Sequence, residues 1–313
     1  MNILLFLGAG FSREAGLPLQ KDFHEMAYSA YEQGHYNLEV YRGVSAAYYS
    51  ARYIEGKQDI TLEDAFGVLE YRYLTHEDHY KIAFFDNLND PSTFHCANKG
   101  ISIREARENF IGAIEDIFGY NEGASYKNID LYILFFETIR ERNNISIMTT
   151  NYDLVCETAL EQLNGYTQFP AYHVFDSSFQ PVPVLKLHGS IDWKETPIDL
   201  PNIIPPTWMK SFERQGKYGF IWRCAEEAIS SCDILIFIGY SMQEIDKEVQ
   251  YLIKSGLQPR IREYKSKRVI VVNPDKTVEN RYNWLKNYGT VEKYEFIPKY
   301  FRDFVKINLD YLV

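Results

Sequence analysis

Five short runs of mainly β-branched and other apolar residues are spread along the chain, and each ends at a glycine or a polar turn. The runs are Ile3–Leu7, Ile145–Met148, Val184–Leu187, Ile234–Ile238 and Val269–Val272. Continuous apolar runs of this length are typical of parallel strands that are buried on both faces. Helical periodicity follows most of them, and alternating strands and helices indicate a doubly wound sheet. The sequence therefore predicts an α/β fold: a Rossmann-like parallel sheet with helices on both faces.

A long segment separates the first run from the second and exceeds the length of an ordinary crossover connection. Its apolar residues, such as Phe66 and Leu69, recur at helical spacing. We therefore expect two domains. Residues 1–24 and 129–313 form the sheet domain, and residues 25–128 form a helical insertion packed beside it.

The overall charge and the hydropathy pattern exclude several functional classes. The 313 residues carry a formal net charge of -10, and an acidic surface repels phosphate backbones, so direct nucleic-acid binding is not expected. No apolar run approaches the roughly 18 residues needed to span a bilayer. The apolar start of the chain is too short for a signal peptide. We expect a cytoplasmic protein without membrane contact.

The four cysteines are widely scattered and form no Cys-x-x-Cys pair. They are Cys96, Cys156, Cys224 and Cys232. Neither a structural zinc site nor a disulfide framework fits this spacing, so no bound metal is expected.

The first run ends in a glycine-rich turn, Gly8-Ala9-Gly10-Phe11-Ser12. A strand that ends in Gly-x-Gly lets the backbone approach a pyrophosphate at the start of the next helix. The third glycine and the acidic residue of the dinucleotide fingerprint are absent. Taken alone, this turn fits nucleotide binding and a plain tight turn equally well.

Polar residues also follow the other four runs, and in a parallel sheet all of these ends lie at one edge. Asn151 and Asp153 follow the second run, where helix capping is the simpler explanation. His188 follows the third run and is either a general base or a structural histidine. Gly239 follows the fourth run and permits close approach of a ligand. Asn273 and Asp275 follow the fifth and suit either a ribose hydroxyl or turn formation; the full turns are Gly239-Tyr240-Ser241 and Asn273-Pro274-Asp275.

Taken in order, the five turns resemble the sirtuin family. That family has a Gly-Ala-Gly-x-Ser loop, an Asn-x-Asp, a His-Gly, a Gly-x-Ser and an asparagine at successive strand ends. The matching residues are Gly8-Ala9-Gly10-Phe11-Ser12, Asn151-Tyr152-Asp153, His188-Gly189, Gly239-Tyr240-Ser241 and Asn273. The resemblance covers the whole sheet but not the helical insertion.

The chain departs from the sirtuin deacylases between His188-Gly189 and Gly239. There the deacylases have two Cys-x-x-Cys pairs, whereas this chain has only Cys224 and Cys232. Zinc-dependent deacylase activity is therefore not expected. Ile204–Trp208 and the acidic Glu244 and Asp246 resemble a zinc-less bacterial branch of the family that is associated with antiphage defence.

This resemblance implies a NAD glycohydrolase that takes NAD as its substrate and releases nicotinamide and ADP-ribose. It implies an antiphage defence effector that acts by depleting cellular NAD. It implies that Asn151 holds a ribose hydroxyl or the attacking water and that His188 is the base. It further implies that Asp153 bonds the nicotinamide carboxamide. The pyrophosphate would contact Gly8, Ala9, Gly10, Phe11 and Ser12, and the adenosine half would contact Gly239, Ser241, Asn273 and Asp275.

Two other functions remain open: transfer of ADP-ribose to an acceptor, and a module that only senses NAD or ADP-ribose. The resemblance also implies a homo-oligomer, or a partner protein such as a defence-system ATPase, that gates activity. Phe11 and Trp208 are candidates for covering the nicotinamide pocket, and Asp246 is expected to cap or orient a helix.

Overall fold

The computed structural model describes residues 1–35, 37–119, 126–163, 166–168, 182–195, 200–204, 217–244, 246–258 and 265–308. The strands in this part of the chain are β1 Asn2–Leu7, β2 Lys81–Ile82, β3 Phe84–Phe85, β4 Phe94–His95, β5 Ile101–Ser102, β6 Asn144–Thr149, β7 Tyr166–Gln168, β8 Val182–Lys186, β9 Gly189–Glu195, β10 Leu200–Ile203, β11 Ile234–Ile238, β12 Lys267–Val272 and β13 Val291–Ile297. The α-helices are α1 Ala9–Ser12, α2 Phe23–Glu32, α3 Leu38–Glu55, α4 Leu62–Thr75, α5 Ile103–Phe118, α6 Ile129–Arg140, α7 Val155–Glu161, α8 Lys217–Ser231, α9 Lys247–Gly256, α10 Glu279–Tyr282 and α11 Phe301–Asn308. Short 3₁₀ turns occur at Arg13–Ala15, Pro91–Thr93, Ala97–Lys99, Lys276–Val278 and Asn283–Asn287.

The chain divides into two compact units. The sheet unit consists of Met1–Gly16, Ser125–Gly189 and Ser211–Val313. The helical unit consists of Leu17–Ala124 and Ser190–Lys210.

The sheet unit is built on seven strands in the order β13-β12-β11-β1-β6-β8-β7. Every neighbouring pair is parallel. With the short β7 set aside, the strands stand in the order 3-2-1-4-5-6 along the chain, which is the order of doubly wound dinucleotide-binding sheets. The direction of winding reverses between β1 and β11. The predicted Rossmann-like α/β fold is therefore confirmed.

All five apolar runs form strands of this sheet, as predicted. In β1 and β11 every residue from Ile3 to Leu7 and from Ile234 to Ile238 is buried, because each strand has a neighbour on both sides. Helices flank the sheet: α6 packs on β6 and α7, and α8 packs on β8, β1 and α9. The sequence did not predict the edge strands β7 and β13.

The helical unit is a cluster of α2, α3, α4 and α5, in which α3 contacts the other three. Its core includes Phe23, whose ring stacks on Phe118 and lies tilted against Phe110. Two small antiparallel sheets, β2–β5 and β3–β4, complete the segment between α4 and α5.

The helical unit differs in extent from the predicted insertion of residues 25–128. It starts at Leu17 and also contains the segment Ser190–Lys210, which carries β10 and most of β9. This segment joins the unit because β9 pairs with β10, and β10 packs on α5. Among the described residues, no helix has the length and apolarity required to cross a membrane.

Helix α4 begins with a reciprocal capping arrangement. The Thr61 hydroxyl accepts a hydrogen bond from the Asp64 amide at 3.2 Å, and the Asp64 carboxylate accepts one from the Thr61 amide at 2.9 Å. Thr61→Ala removes one half of this pair and should lower the free energy of unfolding by about 1 kcal/mol. Urea denaturation measures the change. The control is Thr138→Ala within α6, whose hydroxyl bonds back to the Leu134 carbonyl, with an expected change within about 0.5 kcal/mol. Equal losses in both variants would contradict the capping role.

Candidate active site

The five predicted turns lie at one edge of the sheet. One row of paired residues crosses the sheet just before this edge, made of Lys186, Thr149, Leu7, Ile238 and Val272. Each turn starts within two residues of its member of this row. The edge is the carboxyl end of the strands, where doubly wound sheets bind ligands at the point of reversal.

The turns after β1 and β11 are in direct backbone contact. The Gly8 amide donates to the Ile238 carbonyl and the Gly10 amide donates to the Gly239 carbonyl, both at 3.0 Å. A Cβ atom on Gly10 would lie 2.8 Å from the Gly239 Cα, and one on Gly239 would lie 2.3 Å from the Phe11 nitrogen. These glycines are required because nothing larger fits between the two turns. Two of the amides that were expected to cradle a pyrophosphate are thus used to build the turn.

The Phe11 side chain is buried in the sheet unit, with 1% of its surface exposed. Its ring lies 5.0 Å from that of Tyr132 and 4.7 Å from that of Phe301, measured between centroids. The expectation that Phe11 covers a nicotinamide pocket is therefore wrong, since its ring belongs to the aromatic core between α6 and α11. The other candidate, Trp208, lies outside the described residues.

Asn151 ties the turn after β6 to the turn after β1. Its amide nitrogen Nδ2 donates to the Gly8 carbonyl at 3.0 Å and to the Ser12 hydroxyl at 3.1 Å. Its backbone amide donates to the Thr149 hydroxyl at 3.0 Å. The side chain is half-buried against the glycine turn that follows β1.

Asp153 is buried beside these hydrogen bonds of Asn151. Its carboxylate accepts hydrogen bonds from the Val155 amide at 3.1 Å and from the Ser12 hydroxyl. Burial raises the pKa of Asp153, and the nearby Lys186 ammonium opposes the rise. The bond from the Val155 amide agrees with a capping role at the start of α7. The expected contact with a nicotinamide carboxamide stays a prediction.

A buried ionic cluster lies next to Asp153, and the sequence analysis did not predict it. The Lys186 ammonium is 3.1 Å from the Glu157 carboxylate, and the Cys156 thiol donates to the other Glu157 oxygen at 2.9 Å. Burial and the neighbouring Glu157 hold the pKa of the Cys156 thiol well above its usual value. The sequence feature that could have indicated this cluster is a lysine that directly follows the apolar residues Val184 and Leu185 of β8.

His188 is buried with a carboxylate beside it. Its Nε2 atom lies 3.6 Å from an Asp246 oxygen, and the side chains are 3% and 2% exposed. The other Asp246 oxygen accepts a hydrogen bond from the Tyr240 hydroxyl at 3.1 Å. Asp246 stands at the N-cap position immediately before α9, but its side chain makes no capping hydrogen bond. The expected helix-capping role is therefore wrong, because the carboxylate faces the His188 imidazole instead.

The residues expected to hold the adenosine half are engaged in turn formation. The buried Asn273 donates to the Tyr240 carbonyl at 3.4 Å and accepts from the Asp275 amide at 3.0 Å. Asp275 is exposed, and it accepts hydrogen bonds from the Thr277 amide and hydroxyl, which lower the pKa of its carboxyl. Ser241 is half-exposed. Contacts of these side chains with a ribose stay predictions.

The contact between the two glycine turns gives a stability test. Gly239→Ala should lower the free energy of unfolding by more than about 2 kcal/mol, because Gly239 has a φ of +65° and its new methyl group would meet backbone atoms. Thermal and urea unfolding measure this. The control is Gly289→Ala, where no atom lies within 4 Å of the added Cβ and a change within about 0.5 kcal/mol is expected. A neutral Gly239→Ala variant would show that the two turns can separate freely.

Residues 145–291 match the family model described as SIR2-like domain. Comparison with curated proteins found no match. Among solved structures, a Sir2 enzyme studied for its mechanism and regulation is 12% identical and covers 99% of this chain and 92% of its own, with a TM-score of 0.46. A mutant Sir2 homologue in complex with ADP-ribose is 13% identical and covers 99% of this chain and 91% of its own, with a TM-score of 0.44. A Sir2 homologue in complex with NAD is 12% identical and covers 99% of this chain and 89% of its own, with a TM-score of 0.42. Over residues 145–291 the chain is thus similar to SIR2-like domains, and this stretch carries Asn151, Asp153, His188, Gly239 and Asn273.

Proposed function

We propose that the chain is a NAD glycohydrolase, which converts NAD and water into nicotinamide and ADP-ribose. One observation carries this proposal. Asn151 and His188 follow neighbouring parallel strands, and each stands two residues beyond the paired positions Thr149 and Lys186. They therefore emerge side by side at the edge where a sheet of this order binds dinucleotides. The match of residues 145–291 to SIR2-like domains supports the same function.

The reaction breaks the bond between the ribose C1′ and the nicotinamide nitrogen. The electron pair of this bond leaves with nicotinamide, which departs as a neutral molecule, and positive charge develops at the ribose. The water oxygen then bonds to C1′, and its proton passes to a base. In this proposal Asn151 holds a ribose hydroxyl or the water, and His188 accepts the proton.

Asp246 gives His188 a partner suited to this role. A buried imidazole resists taking up a proton because its charged form loses solvation. The Asp246 carboxylate, held by the Tyr240 hydroxyl, lies beside Nε2 and stabilises an imidazolium. Its position also favours a tautomer in which Nε2 carries a hydrogen. A protein that only binds NAD has no need of a base with such a partner, and this favours catalysis over sensing.

Asp153 and the remaining turns complete the proposed site. Asp153 is expected to bond the nicotinamide carboxamide. The Gly8–Ser12 turn is expected to follow the pyrophosphate, with Gly239, Ser241, Asn273 and Asp275 toward the adenosine half.

The proposed biological role is that of an antiphage defence effector. Continued hydrolysis of NAD lowers the cellular concentration of a cofactor that central metabolism needs. The growth of the infected cell then stops before the phage can mature. Such an activity must be held in check in an uninfected cell. We therefore expect a homo-oligomer or a partner protein, for example a defence-system ATPase, to gate it.

The first functional test is product analysis with substituted proteins. The wild type, with its gating partner where one is needed, should release nicotinamide and ADP-ribose in equal amounts. Asn151→Ala and His188→Ala should each lower the rate by about 100-fold or more and leave NAD affinity nearly unchanged. Chromatography measures the products, and calorimetry measures the affinity. His79→Ala, at an exposed position of the helical unit, is the matched control and should keep full activity.

Other outcomes identify the two alternative functions. Nicotinamide in excess over free ADP-ribose, with label retained on a protein, would indicate ADP-ribosyl transfer. NAD binding without any release of nicotinamide, and with equal affinity loss in both variants, would indicate a sensing module.

The role of Asp246 gives a separate prediction. Asp246→Asn should lower kcat by about 10-fold to 100-fold and change KM little, because the substitution acts on the imidazole and not on the substrate. Tyr240→Phe removes the hydrogen bond to Asp246 and should have a smaller effect in the same direction. Steady-state kinetics measure both. The control is Asp130→Asn at an exposed position of α6, which should match the wild type. A rise in KM at constant kcat would show that Asp246 serves binding instead.

A further inference from the structure

We infer that Lys186 is a positioning residue that fixes the turn carrying Asn151 against the strand carrying His188. This role rests on the proposed function, because it concerns how the two proposed catalytic side chains are kept in register. Lys186 acts through the backbone carbonyl groups of Tyr152 and Asp153, which accept hydrogen bonds from its ammonium.

Lys186 is the last residue of β8, and none of its side chain is exposed. Its ammonium donates to the carbonyl oxygen of Tyr152 at 3.3 Å and to that of Asp153. The Glu157 carboxylate lies 3.1 Å away. A buried ammonium is unfavourable unless it is paired and hydrogen-bonded, and these partners meet both conditions.

The two carbonyl groups explain why a lysine stands at this position. Residues 152 and 153 lie between β6 and α7, outside both regular elements, so their carbonyl groups need donors from elsewhere. The side chain of Lys186 supplies these donors from the adjacent strand. The two strands that flank the reversal point, β1 and β11, end instead in the apolar residues Leu7 and Ile238.

The position of Lys186 links the two halves of the proposed site. His188 follows two residues after Lys186, and Asn151 precedes Tyr152 by one residue. A single ammonium therefore fixes the turn of one proposed catalytic residue to the strand of the other. A shift of about 1 Å between two reacting groups costs roughly 100-fold in rate, so such a tie has a direct effect on kcat.

The competing explanation is that Lys186 only neutralises Glu157. A double substitution separates the two explanations. Lys186→Met alone leaves the buried Glu157 carboxylate without its neighbouring ammonium and should lower Tm by about 5 °C or more. Lys186→Met combined with Glu157→Gln removes both charges, and the glutamine oxygen can still accept the Cys156 thiol hydrogen bond. The double variant should regain part of the lost Tm, since the buried Asp153 carboxylate still lacks its neighbouring ammonium.

The decisive measurements are made on this double variant. Steady-state NAD hydrolysis should show kcat reduced by about tenfold or more with KM little changed. Amide hydrogen exchange should show faster exchange in residues 150–154 than in the wild type, with β1 and β11 unaffected.

Lys267 provides a matched control within the same sheet. It stands at the first position of β12, at the opposite edge from the site, and it is also buried. Its ammonium donates to the carbonyl oxygens of Ser230 at 2.7 Å and Cys232 at 3.4 Å. Lys267→Met should lower Tm but leave kcat and hydrogen exchange at residues 150–154 unchanged.

The result that overturns the inference is a double variant with wild-type kcat and wild-type exchange at residues 150–154. Lys186 would then serve only to neutralise Glu157. If the wild type itself hydrolyses no NAD, the proposed function fails. Hydrogen exchange still tests whether Lys186 fixes the turn of residues 150–154 in that case, because exchange does not depend on turnover.

Discussion

The contact between the glycine turns after β1 and β11 is the constraint on which the rest of the site depends. At this point two backbones meet with no side chain between them, and the amides of Gly8 and Gly10 bond across the gap. The turn after β6 then bonds to the Gly8 carbonyl through Asn151. On the other side, Asn273 bonds to the carbonyl of Tyr240, next to Gly239. The turns after β6 and β12 are thus positioned by the pair of turns at the centre.

The site is assembled by hydrogen bonds from side chains to the backbone more than by apolar packing. Asn151, Asn273 and Lys186 each use a nitrogen to hold a carbonyl group of another turn. Such bonds are directional, and in a buried setting a missing partner is costly. A ligand that entered this edge would therefore meet polar groups whose positions are fixed beforehand, which is the arrangement that electrostatic catalysis requires.

The sequence predicted the parts of the fold and site that follow from local patterns. The buried strands were recognisable as continuous apolar runs, and the turns after them as glycine or polar residues. The edge strand β13 was missed because its residues are half-buried or exposed and mix charged with apolar types. Phe11 and Asp246 were misread because their partners come from distant parts of the chain: Tyr132 and Phe301 for one, His188 for the other. The membership of Ser190–Lys210 in the helical unit likewise depends on long-range contacts that no local pattern encodes.

The order of the strands also has a consequence for how the chain folds. Strand β1 lies between β6 and β11, so its two edges are completed by segments about 140 and 230 residues further along. During synthesis the apolar residues Ile3–Leu7 of β1 therefore lack one or both neighbouring strands until Ile234–Ile238 has left the ribosome. Open apolar edges of this kind recruit other strands, and folding dominated by such distant pairings is slow. This strand order thus leaves the nascent chain prone to aggregation until β11 is made.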